Sequence, residues 1–302
     1  MATCGDMMEL LDCFLPFDCI AAKDNTGLIV GDPSWPVKRI LTAVDLTEAV
    51  IDEAIREHCE MIVTHHHIMG KGVKKINPSS FEGRAVIRLI QNRICFCACH
   101  NSMDFLNEGT ADALMLAVGC RNSRPMYKGY AHLATTNDET QANEISVAQR
   151  QNIVPGLVAG FGRVGELEEP CTLKEVITRL EGVVTGPVNI VGAEDRMIQT
   201  VACQVGWGKT VDMARTKAIG ADLLITGDVC HDDRLYAANL DICLLDFCHQ
   251  EAELPGVLMM TRNLKRFIQR QHYEVEVKVS HAQAPVRHDV MRTEVDYARF
   301  GI

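Results

Sequence analysis

Apolar and polar positions fall in repeating blocks along the first 120 residues, each a short apolar run followed by a stretch of helical period. "VKRILTAVD" at 37–45 reads as a strand. In the "TEAVIDEAIREH" that follows, Val50 with Ala54 and Ile51 with Ile55 repeat on one helical face. "MIVT" at 61–64 and "ICFCAC" at 94–99 are two more strands. Between them "SSFEGRAVIRLIQNR" has Ser79 and Glu82 in capping-box spacing and Ala85, Val86, Leu89 and Ile90 as its expected buried stripe. Cys95, Cys97 and Cys99 share one strand face and read as small packed hydrophobes, because alternate residues on a flat strand do not converge on a metal. "TADALMLAVG" is a helix closed by Gly119, and the N-terminal "MATCGDMMELLDCFLPFD" has the pattern of an amphipathic first helix. Repeated strand–helix units predict a mainly parallel sheet covered on both faces.

Residues 121–155 turn polar and rich in turn-formers, which places a domain junction near 125. Beyond it, "EPCTLKEVITRLEG" holds a second capping box, Thr172 with Glu175, and a stop at Gly182. "IQTVACQV", a helix opened by "GWGKT", and "ADLLIT" repeat the earlier build. After the strand "NLDICLLD" come a helix led by Pro255 and then "YEVEVKVS", whose strict alternation predicts an edge or antiparallel strand. The expected fold is α/β: two linked α/β domains of related topology, one spanning 1–125 and completed by 241–302, the other spanning 126–240.

Composition narrows the function classes. With 302 residues, 47% of them hydrophobic, the chain can bury a core without staples. Thirteen cysteines in no paired CxxC spacing, behind no basic-then-apolar leader, predict a reducing, cytoplasmic setting. No apolar run reaches membrane-spanning length. A net charge of -10 argues against direct nucleic-acid binding, which depends on Lys and Arg displacing counterions. An anionic small molecule would need a bound cation to attract it.

Ligand-type side chains gather after four of the strands: His65, His66 and His67; His100 and Asp104; Asp228 and His231; His249 and Glu253. Ligands of open α/β sheets bind beyond the carboxyl ends of strands, so these groups fall where a cleft forms. Imidazole and carboxylate without thiolate suit Zn, Fe, Mn or Co and leave coordination positions open. The number of candidates exceeds what one open zinc site needs and fits two ions sharing a carboxylate. Pro255 is expected at the first position of its helix, with Glu253 at the helix entrance and His249 at the strand end. Other motifs fail. "VGWGKT" has Cys203 where a phosphate loop needs glycine, although Gly206, Gly208 and Lys209 still allow an anion at a helix N-terminus. "GFGRVGE" is no dinucleotide fingerprint, and a GxSxG elbow is absent.

The chain resembles the NGG-one-interacting-factor-three-like family, the GTP cyclohydrolase I type 2 homologues. "DNTGLIVGDP", "VTHHH" for the family's His-His-Pro, "HNSMD" for His-Thr-x-x-Asp, "GRVGEL", "LLITGDV" for Thr-Gly-Glu and "DFCHQEAE" for Gly-His-x-x-x-Glu occur in order along nearly the whole chain. The resemblance implies a ring-like homohexamer with a dinuclear metal centre in each subunit. Its ligands would be His65, His66, Asp104, His249 and Glu253, with Asp104 as the bridge. His67 replaces the usual proline, Cys248 the usual glycine, and Trp207 sits inside the family's glycine turn. His67 is expected to face substrate, support a ligand or lie exposed, and Cys248 to change its loop or set a thiol beside the metal. The expected activity is a metal-dependent hydrolase using two divalent ions, with His100 as general acid or base, joined by His231. Its substrate would be a small molecule, a nucleotide such as GTP opened at the purine ring. The alternative is a metal-binding adaptor or regulatory partner-binding protein without turnover.

Overall fold

Strands of four or five residues that are apolar on both faces need helices above and below them, and the chain supplies these from segments on either side of each strand. The computed structural model describes residues 1–17, 24–69, 73–127 and 158–282. In chain order the first half contains α1 (Cys4–Phe14), β1 (Gly27–Val30), β2 (Arg39–Ala43), α2 (Glu48–Arg56), β3 (Met61–Thr64), α3 (Phe81–Gln91), β4 (Cys95–Ala98), α4 (His100–Phe105), α5 (Thr110–Val118) and β5 (Cys120–Pro125). The second contains β6 (Arg163–Thr172), α6 (Leu173–Leu180), β7 (Val188–Val191), β8 (Met197–Cys203), α7 (Thr210–Ala218), β9 (Leu223–Gly227), α8 (His231–Asn239), β10 (Cys243–Phe247), α9 (His249–Arg270) and β11 (Glu276–Val279).

The first sheet has the order β1-β4-β3-β2-β11 and is parallel except for β1. Its residues divide between two cores by parity. Met61, Val63, Cys95 and Cys97 pack with Met7 and Leu11 of α1 and with Val257, Met260 and Leu264 of α9. Ile62, Phe96 and Ala98 pack with Val50 and Ile51 of α2 and Ala85 and Leu89 of α3. The cysteine face is therefore hydrophobic packing, as its alternation predicts. β11 is an edge strand, though parallel to β2. Two local expectations shift. Ser80 caps α3, accepting from the Gly83 N–H, and Ile90 stands outside the buried stripe at 52% exposure.

The second sheet has the order β5-β6-β8-β9-β10-β7, and only β8, β9 and β10 are parallel. It departs from the first in build: β5, β6 and β7 are antiparallel additions that their mixed polar sequences did not announce. α5 and α6 cover one face through Leu114, Met115, Val176 and Leu180. Met213 of α7 and Ala237 of α8 cover the other. The Thr172–Glu175 capping box and the left-handed Gly119 cap of α5 form as read. Segment 241–302, expected to complete the first domain, divides. β10 is hydrogen-bonded into the second sheet and β11 into the first, while β5, inside 1–125, also joins the second. Most of the polar stretch 121–155 lies outside the described residues. Among those described, no helix is long and apolar enough to cross a membrane.

α9 links the two sheets. It leaves β10, buries Ala252 in the second sheet's core and Val257, Met260 and Leu264 in the first, and returns the chain to β11. Pro255 lies inside this helix, not at its start. The chain tolerates the lost N–H donor so that His249 and Glu253 share one helical face. α9 crosses α5 at Gly256, where an added Cβ would stand 2.7 Å from the Cα of Thr110. Gly256→Ala is expected to destabilise the protein by about 1–3 kcal/mol, because overpacking against backbone outweighs the gain in helix propensity of about 1 kcal/mol. Urea unfolding measures the difference, and an unchanged midpoint would show that the helices separate without cost.

Candidate metal centre

Three strands of the first sheet and three of the second end at one place. The ladder beyond β3 continues for two residues, the His65 N–H donating to the Ala43 carbonyl and the His66 N–H to Val44. Both imidazoles thus leave a fixed backbone. His100 opens α4 just after β4, its N–H bonded to the His65 carbonyl, and Asp104 follows one turn later. From the second sheet, Asp228 follows β9, and His249 with Glu253 occupies the first turns of α9 after β10. Gly206, beyond β8, has φ +91° and stands against the cluster; a Cβ there would meet Glu253 Oε1 at 3.2 Å.

Glu253, 2% exposed, is the hub. Its Oε1 lies 2.9 Å from His249 Nε2 and 3.3 Å from His65 Nε2, and its Oε2 lies 3.2 Å from His66 Nε2. Asp104 reaches the cluster at its edge, with Oδ2 3.7 Å from His65 Nε2 and Oδ1 accepting from the Thr110 hydroxyl at 2.6 Å. Glu253, not the expected Asp104, is the carboxylate shared by three imidazoles. His66 Nδ1 is bonded to Asp45 at 2.8 Å and His249 Nδ1 to Asp228 at 3.0 Å. These carboxylates hold ring protons on Nδ1 and aim both Nε2 atoms at Glu253. His100 Nδ1 is held likewise by Asp24 at 2.7 Å.

The charges are mutually dependent. Burial resists protonation of His65, but the facing Glu253 and Asp104 carboxylates overcome it and raise its pKa to about 10. His249 is raised to about 9 against its own burial, by hydrogen bonding and attraction to Glu253 and Asp228. Burial alone would raise the pKa of Glu253, but the three histidines hold it well below the carboxylate range. Even so, neither ring nitrogen of the fully buried His65 has a hydrogen-bond partner, and Glu253 Oε2 has none. Buried polar atoms left this way are costly. A cation among the Nε2 atoms and carboxylate oxygens would supply the missing interaction at Glu253 and at the facing nitrogen of His65. The residues present therefore fit a metal, and His65 with His66 and His100, and His66 with His249 and Glu253, are spaced to hold one.

The cluster opens into a cleft of about 240 Å³ that includes Phe161, Gln204, Trp207 and Lys209. His231, expected beside His100, is instead the exposed first residue of α8 and is not among the residues lining this cleft. Its strand-end position in the sequence did not fix the direction of the loop. Cys248 caps α9 and is likewise not a lining residue. At the expected anion site, Asp212 accepts from the Lys209 N–H at 2.9 Å, and the Lys209 ammonium lies 4.3 Å from the Trp207 ring centroid. The helix end already holds a carboxylate. Asp24 and Asp45 were missed as functional residues. Asp45 was legible as one more strand-end acid; Asp24 precedes β1 and follows no periodicity, and its one signal was its place at the head of "DNTGLIVGDP".

A family model described as Duf34/NIF3 (NGG1p interacting factor 3) matches residues 2–285. A Clostridium acetobutylicum protein named GTP cyclohydrolase 1 type 2 homolog is 31% identical over 277 residues, 91% of this chain and 94% of its own length. A Streptomyces coelicolor protein of the same name is 28% identical over 285 residues, 93% of this chain and 92% of its own. Among solved structures, a Staphylococcus aureus hypothetical protein superposes with a TM-score of 0.77 at 25% identity, covering 95% of this chain and 99% of that one. A Bacillus cereus protein related to NIF3 gives 0.76 at 20% identity, covering 92% and 96%. The chain belongs to the Duf34/NIF3 family.

Proposed function

We propose that the protein is a dinuclear metal-dependent hydrolase, with His65, His66, Asp104, His249 and Glu253 as its metal ligands. The observation that carries this reading is the buried Glu253 carboxylate faced by three imidazole Nε2 atoms, two of them set by carboxylates on Nδ1. Two divalent ions, Zn, Fe, Mn or Co, would lower the pKa of a water molecule and polarise the bond under attack. The side chains divide the remaining work. His66, His249 and Glu253 group at one position, and His65 with Asp104 marks the other. His100 is the general acid or base: Asp24 fixes its Nδ1, and its ring lies 5.5 Å from that of His65 and 5.7 Å from that of His66, on the wall of the cleft. Phe161 and Trp207 supply apolar surface and Lys209 a positive charge, which suits a planar, anionic substrate. The names of the relatives make GTP the first candidate. A cytoplasmic homohexamer completes the reading; no disulfide joins the described cysteines, which fits a reducing compartment.

The metal-loaded protein should turn over GTP or a member of a panel of phosphoesters and cyclic amides. His100→Gln is expected to lower kcat by about 10²–10⁴-fold while the ions held by His65, His66, Asp104, His249 and Glu253 stay bound. A loaded protein that leaves the whole panel untouched would sink the hydrolase in favour of a metal-binding adaptor.

Metal uptake should also follow pH. With His65 and His249 raised to about 10 and 9 in the metal-free protein, cations compete with bound protons throughout the neutral range. Affinity is expected to rise from pH 6 to pH 9, by about tenfold per pH unit for each proton displaced. Competition against a chelator of known affinity across that range measures the slope, and a flat profile would remove these histidines from the ligand set.

A further inference from the structure

Next to the Glu253 cluster stands a second group that the hydrolase reading uses only through His100. Asp24, His67 and His100 each offer a donor atom, all within 4.8 Å of one another. His100 Nδ1 and His67 Nε2 approach the same oxygen, Asp24 Oδ1, at 2.7 and 3.8 Å, with the two ring centroids 5.0 Å apart. Asp24 itself is only 6% exposed, and its other oxygen accepts the Asn101 N–H at 3.1 Å, which fixes the carboxylate plane. His67 has a weaker hold. Its Nδ1 is buried without a hydrogen-bond partner, and its Nε2 is too far from Asp24 to bond it.

We propose that Asp24, His67 and His100 bind a further divalent cation, outside the Glu253 cluster, through a two-histidine, one-carboxylate set. Donors about 2.0–2.2 Å from a tetrahedral ion stand roughly 3.3–3.5 Å from one another. The observed 2.7 and 3.8 Å lie on either side of that value, so small ring rotations complete the geometry. The set suits Fe(II), Co(II) or Zn(II) and leaves positions for water. An ion on His100 Nδ1 leaves the ring proton on Nε2, and His100 then offers its neighbours an N–H. Without the ion, Asp24 holds the proton on Nδ1 and His100 offers a lone pair. Occupancy would thus select whether His100 Nε2 donates or accepts a hydrogen bond. The site itself does not depend on the chain being a hydrolase.

Full-length protein stripped with a chelator and titrated with Co(II), followed by visible absorption and calorimetry, tests the site. Wild type is expected to bind one equivalent per chain more than His67→Ala, and Asp24→Asn, which keeps the side-chain volume, should lose the same equivalent. Glu253→Gln should keep it. Equal Co(II) stoichiometry in wild type and both folded variants, with folding checked by circular dichroism, overturns the proposal. Loss of that same equivalent in Glu253→Gln overturns it too, because the ion would then belong to the Glu253 cluster.

Discussion

A carboxylate buried among imidazoles governs this structure. Glu253 is shielded from water in the second turn of α9, and an isolated charge in that position would cost several kcal/mol after relaxation. Compensation comes from both sides of the cleft: His65 and His66 arrive from the first sheet and His249 from the helix that leaves the second. The site therefore exists only when the two sheets present their carboxyl ends to each other. Neither sheet carries enough polar groups to satisfy Glu253 alone.

That requirement explains features that look unrelated along the chain. α9 must begin at His249 to place two ligand-type residues one turn apart, so Pro255 falls inside the helix. The backbone beyond β8 must pass close to Glu253, which only Gly206 permits without a Cβ pressing on the carboxylate. α5 must approach α9 at Gly256, because Thr110 at the start of α5 holds Asp104 beside His65. The outer carboxylates Asp45 and Asp228 are set by strand ends as well, so ring orientation and fold are determined by the same ladder. An error of one residue in the register of β3 would exchange the side chains it presents to its two cores and move His65 and His66 off their places beside Glu253.

The legible part of the sequence was the part controlled by local pattern. Four-residue apolar runs and the helical periods of α2, α3 and α5 located the parallel strands and their covers, and strand-end histidines pointed to the cleft. The antiparallel strands were not legible. β5 presents "CRNSRP" and β7 "VNIV" with largely exposed side chains, so their pairing is decided by the sheet they join. For the same reason β10 was assigned to the wrong partner: its sequence states that it is buried, and cannot state beside what. At the site, residue type indicated a cation, but not which carboxylate lies at the centre. Asp104 and Glu253 are equivalent as sequence features, and only the crossing of α5 and α9 makes one the hub and the other its neighbour.

The choice of donors bears on what such a centre is for. The chain is rich in cysteine, yet Cys95, Cys97 and Cys99 are buried in the α1 and α9 core, and the groups around Glu253 are nitrogen and oxygen. Thiolate sites close around an ion and hold it, whereas imidazole and carboxylate sites leave positions that a water or a substrate oxygen can take. Here the cluster lines a cleft that also bears the Trp207 ring and the Lys209 ammonium group. Such a wall gives a bound molecule a surface to lie on and a charge to meet.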